Sequence, residues 1–280
     1  MGIKAFIQKK PVTFYFILTF LISWLGAFAL VANKLIHGVV IPKLDGILMF
    51  PIMLLGPFVS GIVLTGVKGG KQALKDLATR LNPIGVTKSW FLVLLIPPAS
   101  ILFILTFLSI TTSKIYAPNL FQLGFLFGIP AGLLEEIGWM GFAFPNMNQH
   151  RSAFSNSILL GLIWGLWHFP VINFLGTASP HGSYLFLYFL SFITVMTAIR
   201  VIIAWVYNNT QSLFLCQLMH ISSTGFLVML SPSPITIQQE PVWYFAYSIV
   251  LWVIVFIIVY RYGKNLVRKK SKEALILEKL

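Results

Sequence analysis

Acidic side chains are scarce in this sequence. Seven Asp and Glu stand among 280 residues, against twenty Lys and Arg. Charged residues of both signs make up 10% of the chain, where a soluble domain carries about 25%. That shortage excludes an ordinary soluble domain. A single cysteine, Cys216, excludes an internal disulfide and leaves the redox compartment unread. Internal repeats, low-complexity stretches and a second soluble domain are also missing. What is present is apolar: 58% hydrophobic residues, 25 Phe and 8 Trp, with a mean hydropathy of +0.87. The apolar runs are continuous rather than alternating, which selects helices over a β-barrel. The fold class is all-α, a polytopic membrane protein.

Eight spans are predicted, near 12–32, 46–67, 90–110, 119–143, 154–175, 184–206, 212–230 and 243–262. Each crosses a core of about 30 Å at about 1.5 Å per residue. The first follows Lys4, Lys9 and Lys10 and ends near Ala27-Phe28-Ala29, the outline of a signal peptide. Its run is longer than the usual h-region of about 7–15 residues, which favours an uncleaved helix. With the N-terminus in the cytoplasm, sixteen of the twenty basic residues fall inside. Only Lys34, Lys43 and Lys114 stay outside, and Arg200 lies within span six. This bias places both termini in the cytoplasm and supports an even span count. The polybasic end (Lys264, Arg268, Lys269, Lys270, Lys272) suits anionic lipid rather than nucleic acid. Residues 71–82 read as a short amphipathic helix on the cytoplasmic surface, ended by Asn82-Pro83-Ile84-Gly85.

Two acids break the apolar pattern. Glu135 and Glu136 sit in a run from Leu120 to Pro145 with no other charge. A carboxylate at that depth costs about 2.5–3.5 kcal/mol on insertion scales. Asp45, Asp76, Glu240, Glu273 and Glu278 fall in predicted loops or tails. His168 in span five and His220 in span seven lie at overlapping depths, roughly 12–20 Å from the cytoplasmic ends. A carboxylate with a histidine polarises water for attack on a carbonyl. Two histidines and a glutamate also form a catalytic zinc set, so Glu135, His168 and His220 are candidate metal ligands. A divalent metal such as zinc and a metal-free site both stay open. Neighbouring helical residues point about 100° apart, so Glu135 and Glu136 face different partners. The bland alternatives are a proton relay or an interhelical hydrogen bond. Trp139, Trp164 and Trp167 read as packing and interface anchors. Gly141, Gly161 and Gly165 read as close-approach sites.

Three segments resemble one known family. They are Leu134-Glu135-Glu136-Ile137-Gly138-Trp139-Met140-Gly141-Phe142 with Pro145, then Gly161 through Pro170 around His168, then Asn209-Thr210-Gln211-Ser212-Leu213 with Leu218-Met219-His220. Together they resemble the CPBP family of type II CAAX prenyl endopeptidases and bacteriocin-processing intramembrane proteases. The resemblance covers about 12–262, with its motifs in 119–230 and a basic tail at 263–280 of a single membrane domain. It implies eight helices and a conical cavity open to the cytosol. It implies Glu135 and His168 as water activators, His220 as oxyanion or metal partner, and Glu136 as support. Met140 stands where the family usually has an arginine one turn after Glu136, and Thr224 where it usually has asparagine. Without that arginine, Glu136 lacks a local counter-charge, and Arg200 is the remaining intramembrane cation.

The leading reading is an intramembrane endopeptidase acting on a membrane-associated or prenylated-type peptide by direct water attack. One alternative is a weakly active or inactive relative serving as a binding or bacteriocin self-immunity protein. Another is a small proton-coupled transporter, against which stands the lack of repeat halves. A thiol mechanism from Cys216 is disfavoured, because one buried cysteine is usually inert. Membrane lipids and a peptide or membrane-protein substrate are the implied partners, with no nucleic acid. Oligomeric state is not legible in the sequence.

Overall fold

The computed structural model describes residues 7–147 and 150–267, and no strand occurs among them. Lys4 and the basic residues beyond 267 lie outside this range. Seven helical segments are long and apolar enough to cross a membrane, and an eighth apolar helix is shorter.

Helix α1 (Pro11–Ile36) leads to α2 (Lys43–Met53) and α3 (Leu55–Thr79), which together form the second span. A 3-10 turn over Lys88–Leu95 leads into α4 (Ile96–Thr111). Helix α5 (Phe125–Gly138) continues as a π-turn over Trp139–Ala143. Then come α6 (Ala153–Trp167), α7 (Leu185–Thr210), α8 (Leu213–Leu230) and α9 (Gln239–Tyr262). Predicted span five is α6, and its 15 residues give only about 22 Å of helix. The chain from His168 to Phe174 finishes that span as tight turns.

The predicted surface helix at 71–82 is the tail of α3, set off by Gly70 at φ 64°. It packs inward as well. Leu77 is buried, and Arg80 bonds the Tyr207 hydroxyl and the Gly141 carbonyl. The Arg80 carbonyl also accepts from Leu213 and Phe214, satisfying free amides at the start of α8. Ser152 and Ser212 cap α6 and α8. Gln211, at φ 54°, makes the tight reversal between α7 and α8.

Glycines bring the site helices together. At Gly124, just before α5, and at Gly128 and Gly132 on it, a Cβ would lie under 3 Å from the α8 backbone. Gly161 and Gly165 let α6 approach Thr197 and Ile193 of α7, as predicted. Large apolar side chains such as Leu25, Phe103, Ile110 and Phe256 are left exposed on the outside of the bundle, where lipid would cover them.

Candidate active site

Glu135, Glu136, His168 and His220 converge, as the sequence predicts, and all four are buried. Glu135 ends α5 one turn before the π-turn, a local distortion common at functional sites. Its Oε2 accepts the indole N–H of Trp139 at 3.1 Å and of Trp164 at 2.7 Å. Its Oε1 has no protein partner. Glu136 points elsewhere. Both its oxygens accept from Arg200 Nη1, at 2.9 and 2.8 Å, and Oε1 also pairs with His220 Nδ1 at 2.7 Å.

The histidines are oriented by their Nδ1 atoms. His168 Nδ1 lies 2.8 Å from the Trp164 carbonyl, which only accepts, so Nδ1 carries the proton. His220 Nδ1 donates to Glu136 by the same logic. In the neutral tautomers both Nε2 atoms are bare acceptors. The Trp164 indole also packs edge-on to His168 and His220, with ring centroids 5.6 and 5.1 Å apart. The Arg200 guanidinium lies 4.1 Å from the centre of the same indole.

Two readings change here. Trp139 and Trp164 do more than pack, because their N–H groups hold the Glu135 carboxylate. The signal was present in part, since Glu135 and Trp139 are one helical turn apart. Glu136 takes its counter-charge from Arg200, the remaining intramembrane cation, which comes across from α7, while Met140 is fully buried. Glu240, read as a loop residue, is a third buried carboxylate in the first turn of α9. It binds the amides of Thr177 and Ala178 and lies 3.6 Å from His181. His181 is held neutral: burial, with Lys43 nearby, lowers its pKa to about 4.

Glu135, Trp164, His168 and His220 line a cavity of about 430 Å³. Phe50, Phe127, Phe192 and Leu227 make its walls apolar, and Thr224 lies one turn from His220. Lys43, Asn119, Phe121, Thr177 and Ser233 also line the cavity. Those residues belong to the face that carries the chain turns near 37–42, 112–121, 175–184 and 231–238. The opposite face carries Lys68, Lys71, Lys75, Arg80, Lys88 and Arg151.

Three donors suited to a metal line the cavity, yet they do not close around one. No three His, Cys, Asp or Glu side chains among the described residues gather closely enough to hold an ion.

The fold and site define a helical, multi-pass membrane protein with a carboxylate–histidine centre facing an apolar cavity. Residues 117–226, which contain all three motifs, match the family model described as Type II CAAX prenyl endopeptidase Rce1-like. The chain is also similar to CAAX prenyl protease 2 of Methanococcus maripaludis, 28% identical over 240 residues, covering 80% of this chain and 83% of that protein. Both matches are to CAAX-type membrane proteases, and both include the segments around Glu135, His168 and His220.

Proposed function

We propose that this protein is an intramembrane endopeptidase in which Glu135 activates water for direct attack on a peptide carbonyl. The observation that carries the reading is the division of labour within one carboxylate. Oε2 is fixed by two indole donors, while Oε1 is left for a ligand in the cavity. Water bound between Glu135 Oε1 and His168 Nε2 would give a proton to Glu135 as its oxygen adds to the carbonyl carbon. His220, oriented by its Nδ1 bond to Glu136, would face the developing oxyanion and stabilise it. Collapse would break the C–N bond, and Glu135 would return the proton to the leaving amine. No acyl-enzyme forms.

Arg200 supports activity over the non-catalytic alternative. The substitution of Met140 leaves Glu136 paired, so His220 keeps its orienting carboxylate. The substrate is proposed as a peptide segment held at membrane depth, of the kind that a CAAX-type protease cleaves. The test is cleavage of membrane-anchored peptides by the purified protein, with and without chelator. Wild type should cleave in both, and His168→Ala should not. Activity abolished by chelator and restored by zinc would replace this mechanism with a metal-dependent one.

A further inference from the structure

We propose that Arg80, which does not line the cavity, is a positioning residue for the reaction. It ties the end of α5 to the start of α8 and so holds Glu136 against His220. This rests on the endopeptidase reading above for what the cluster does, though not for how Arg80 holds it.

The first tie is the side chain. In an unbroken α-helix the Gly141 carbonyl would accept from residue 145, but Pro145 has no N–H and its ring crowds that carbonyl. The helix widens there into the π-turn, in which the Phe144 amide reaches back to the Trp139 carbonyl. In place of the missing amide, Arg80 Nη2 donates to the Gly141 carbonyl at 2.9 Å. Arg80 Nη1 donates to the Tyr207 hydroxyl at 2.7 Å, and the Tyr207 ring packs edge-on to Phe144. Gly141 leaves room for this approach, since a Cβ there would lie 2.9 Å from the buried Leu77 side chain, one turn before Arg80. Arg80 makes no ion pair among the described residues, so both of these donors serve neutral acceptors. The rigid fork of a guanidinium holds two such groups in a fixed relation.

The second tie is main chain. The Arg80 carbonyl accepts from the Leu213 amide at 2.8 Å and the Phe214 amide at 3.2 Å, in the first turn of α8. Gly141 follows Glu136 in the chain, and Leu213 precedes His220, each within about two helical turns. One residue therefore grips both segments close to the Glu136–His220 bond of 2.7 Å. A misplacement of about 1 Å costs about a hundredfold in rate, so the spacing of these two helices bears on turnover.

Arg80→Met removes the side-chain tie and keeps the main-chain one. On a membrane-anchored peptide, kcat should fall about tenfold while KM stays within about twofold. Arg80→Lys, which offers the Gly141 carbonyl a donor again, should recover part of the loss. In a Glu136→Gln background, Arg80→Met should cost less than about twofold, because the bond it positions is already weakened. Equal losses in the two backgrounds overturn the proposal, as does an unchanged kcat. A readout independent of turnover is the nitrogen NMR signal of His220 Nδ1 in micelles, assigned by its absence in His220→Gln. Arg80→Met should move that signal toward its position in Glu136→Gln, and an unmoved signal contradicts the proposal. If Arg80→Met does not fold, Tyr207→Phe removes one of the two side-chain acceptors of Arg80 and is read by the same signal in the same way. No cleavage by wild type defeats the protease reading instead, and the NMR signal still decides the role of Arg80.

Discussion

Trp164 shows how the site depends on residues that carry no charge. Its indole N–H holds Glu135, its carbonyl fixes the His168 tautomer, and its ring face lies beside Arg200. A hydrogen bond to a charged group contributes about 1.5–3 kcal/mol. Trp164→Phe keeps an aromatic ring and removes the N–H, so kcat should fall about ten- to a hundredfold. KM should change little, and steady-state kinetics in detergent would read both. The Glu136–Arg200 pair makes a different demand. Breaking one partner of a buried pair typically costs about 3–5 kcal/mol, because the other charge is stranded. Arg200→Met should therefore lower the unfolding midpoint sharply, and adding Glu136→Gln should recover part of the loss. The measurement is denaturant unfolding in micelles, and an unchanged midpoint for Arg200→Met would exclude the pairing. The carboxylates and histidines were legible in the sequence because each is anomalous in an apolar run. The Arg200 partnership was legible only by elimination, since sequence does not state which helices are neighbours. The Trp164 bond to Glu135 joins residues 29 positions apart on two helices, and an apolar run containing tryptophan reads first as packing.

Gly128 and Gly132, with Gly124 just before the helix, let α5 lie close against α8. Gly128→Leu would drive a side chain into the Ile221 carbonyl and the Gly225 amide. Overpacking of this kind typically costs about 1–3 kcal/mol or more. Because Glu136 of α5 bonds His220 of α8, the same variant should lose activity along with stability. Thermal unfolding beside a cleavage assay checks both. The long apolar helices were readable from hydropathy alone. The short α6 was not, because its span is completed by turns around His168 whose residues are as apolar as the helix. The tail of α3 was recognised by its pattern, and the kink at Gly70 sets it off as a separate, mostly exposed helix. An amphipathic face suits a lipid surface and a protein groove equally, and Leu77 lies buried while Arg80 bonds Gly141.

At the scale of the molecule, the loops rich in lysine and arginine lie at one end of the bundle, and the turns that reach the cavity lining lie at the other. A loop at that second end is tied down by Glu240 and by His181, whose Nε2 bonds the Leu175 carbonyl and whose ring stacks on Tyr188. His181 in the fold takes up a proton only near pH 4. In the unfolded chain it does so near about 6.5. Its contribution to stability is intact above the higher value and is lost as pH falls toward the lower one. Melting temperatures measured across that window should fall for wild type and fall less for His181→Gln. Nothing in the sequence marked this latch, because Glu240 and His181 are 59 residues apart in predicted loops.

The central claim is that Glu135 is the base. The most direct measurement is single-turnover cleavage of a membrane-anchored peptide by purified wild type beside Glu135→Gln, which preserves shape and the indole contacts. General-base catalysis contributes about 10²- to 10⁴-fold, so the variant should be slower by at least about a hundredfold while unfolding at a similar midpoint. Equal rates for the two proteins would contradict the account.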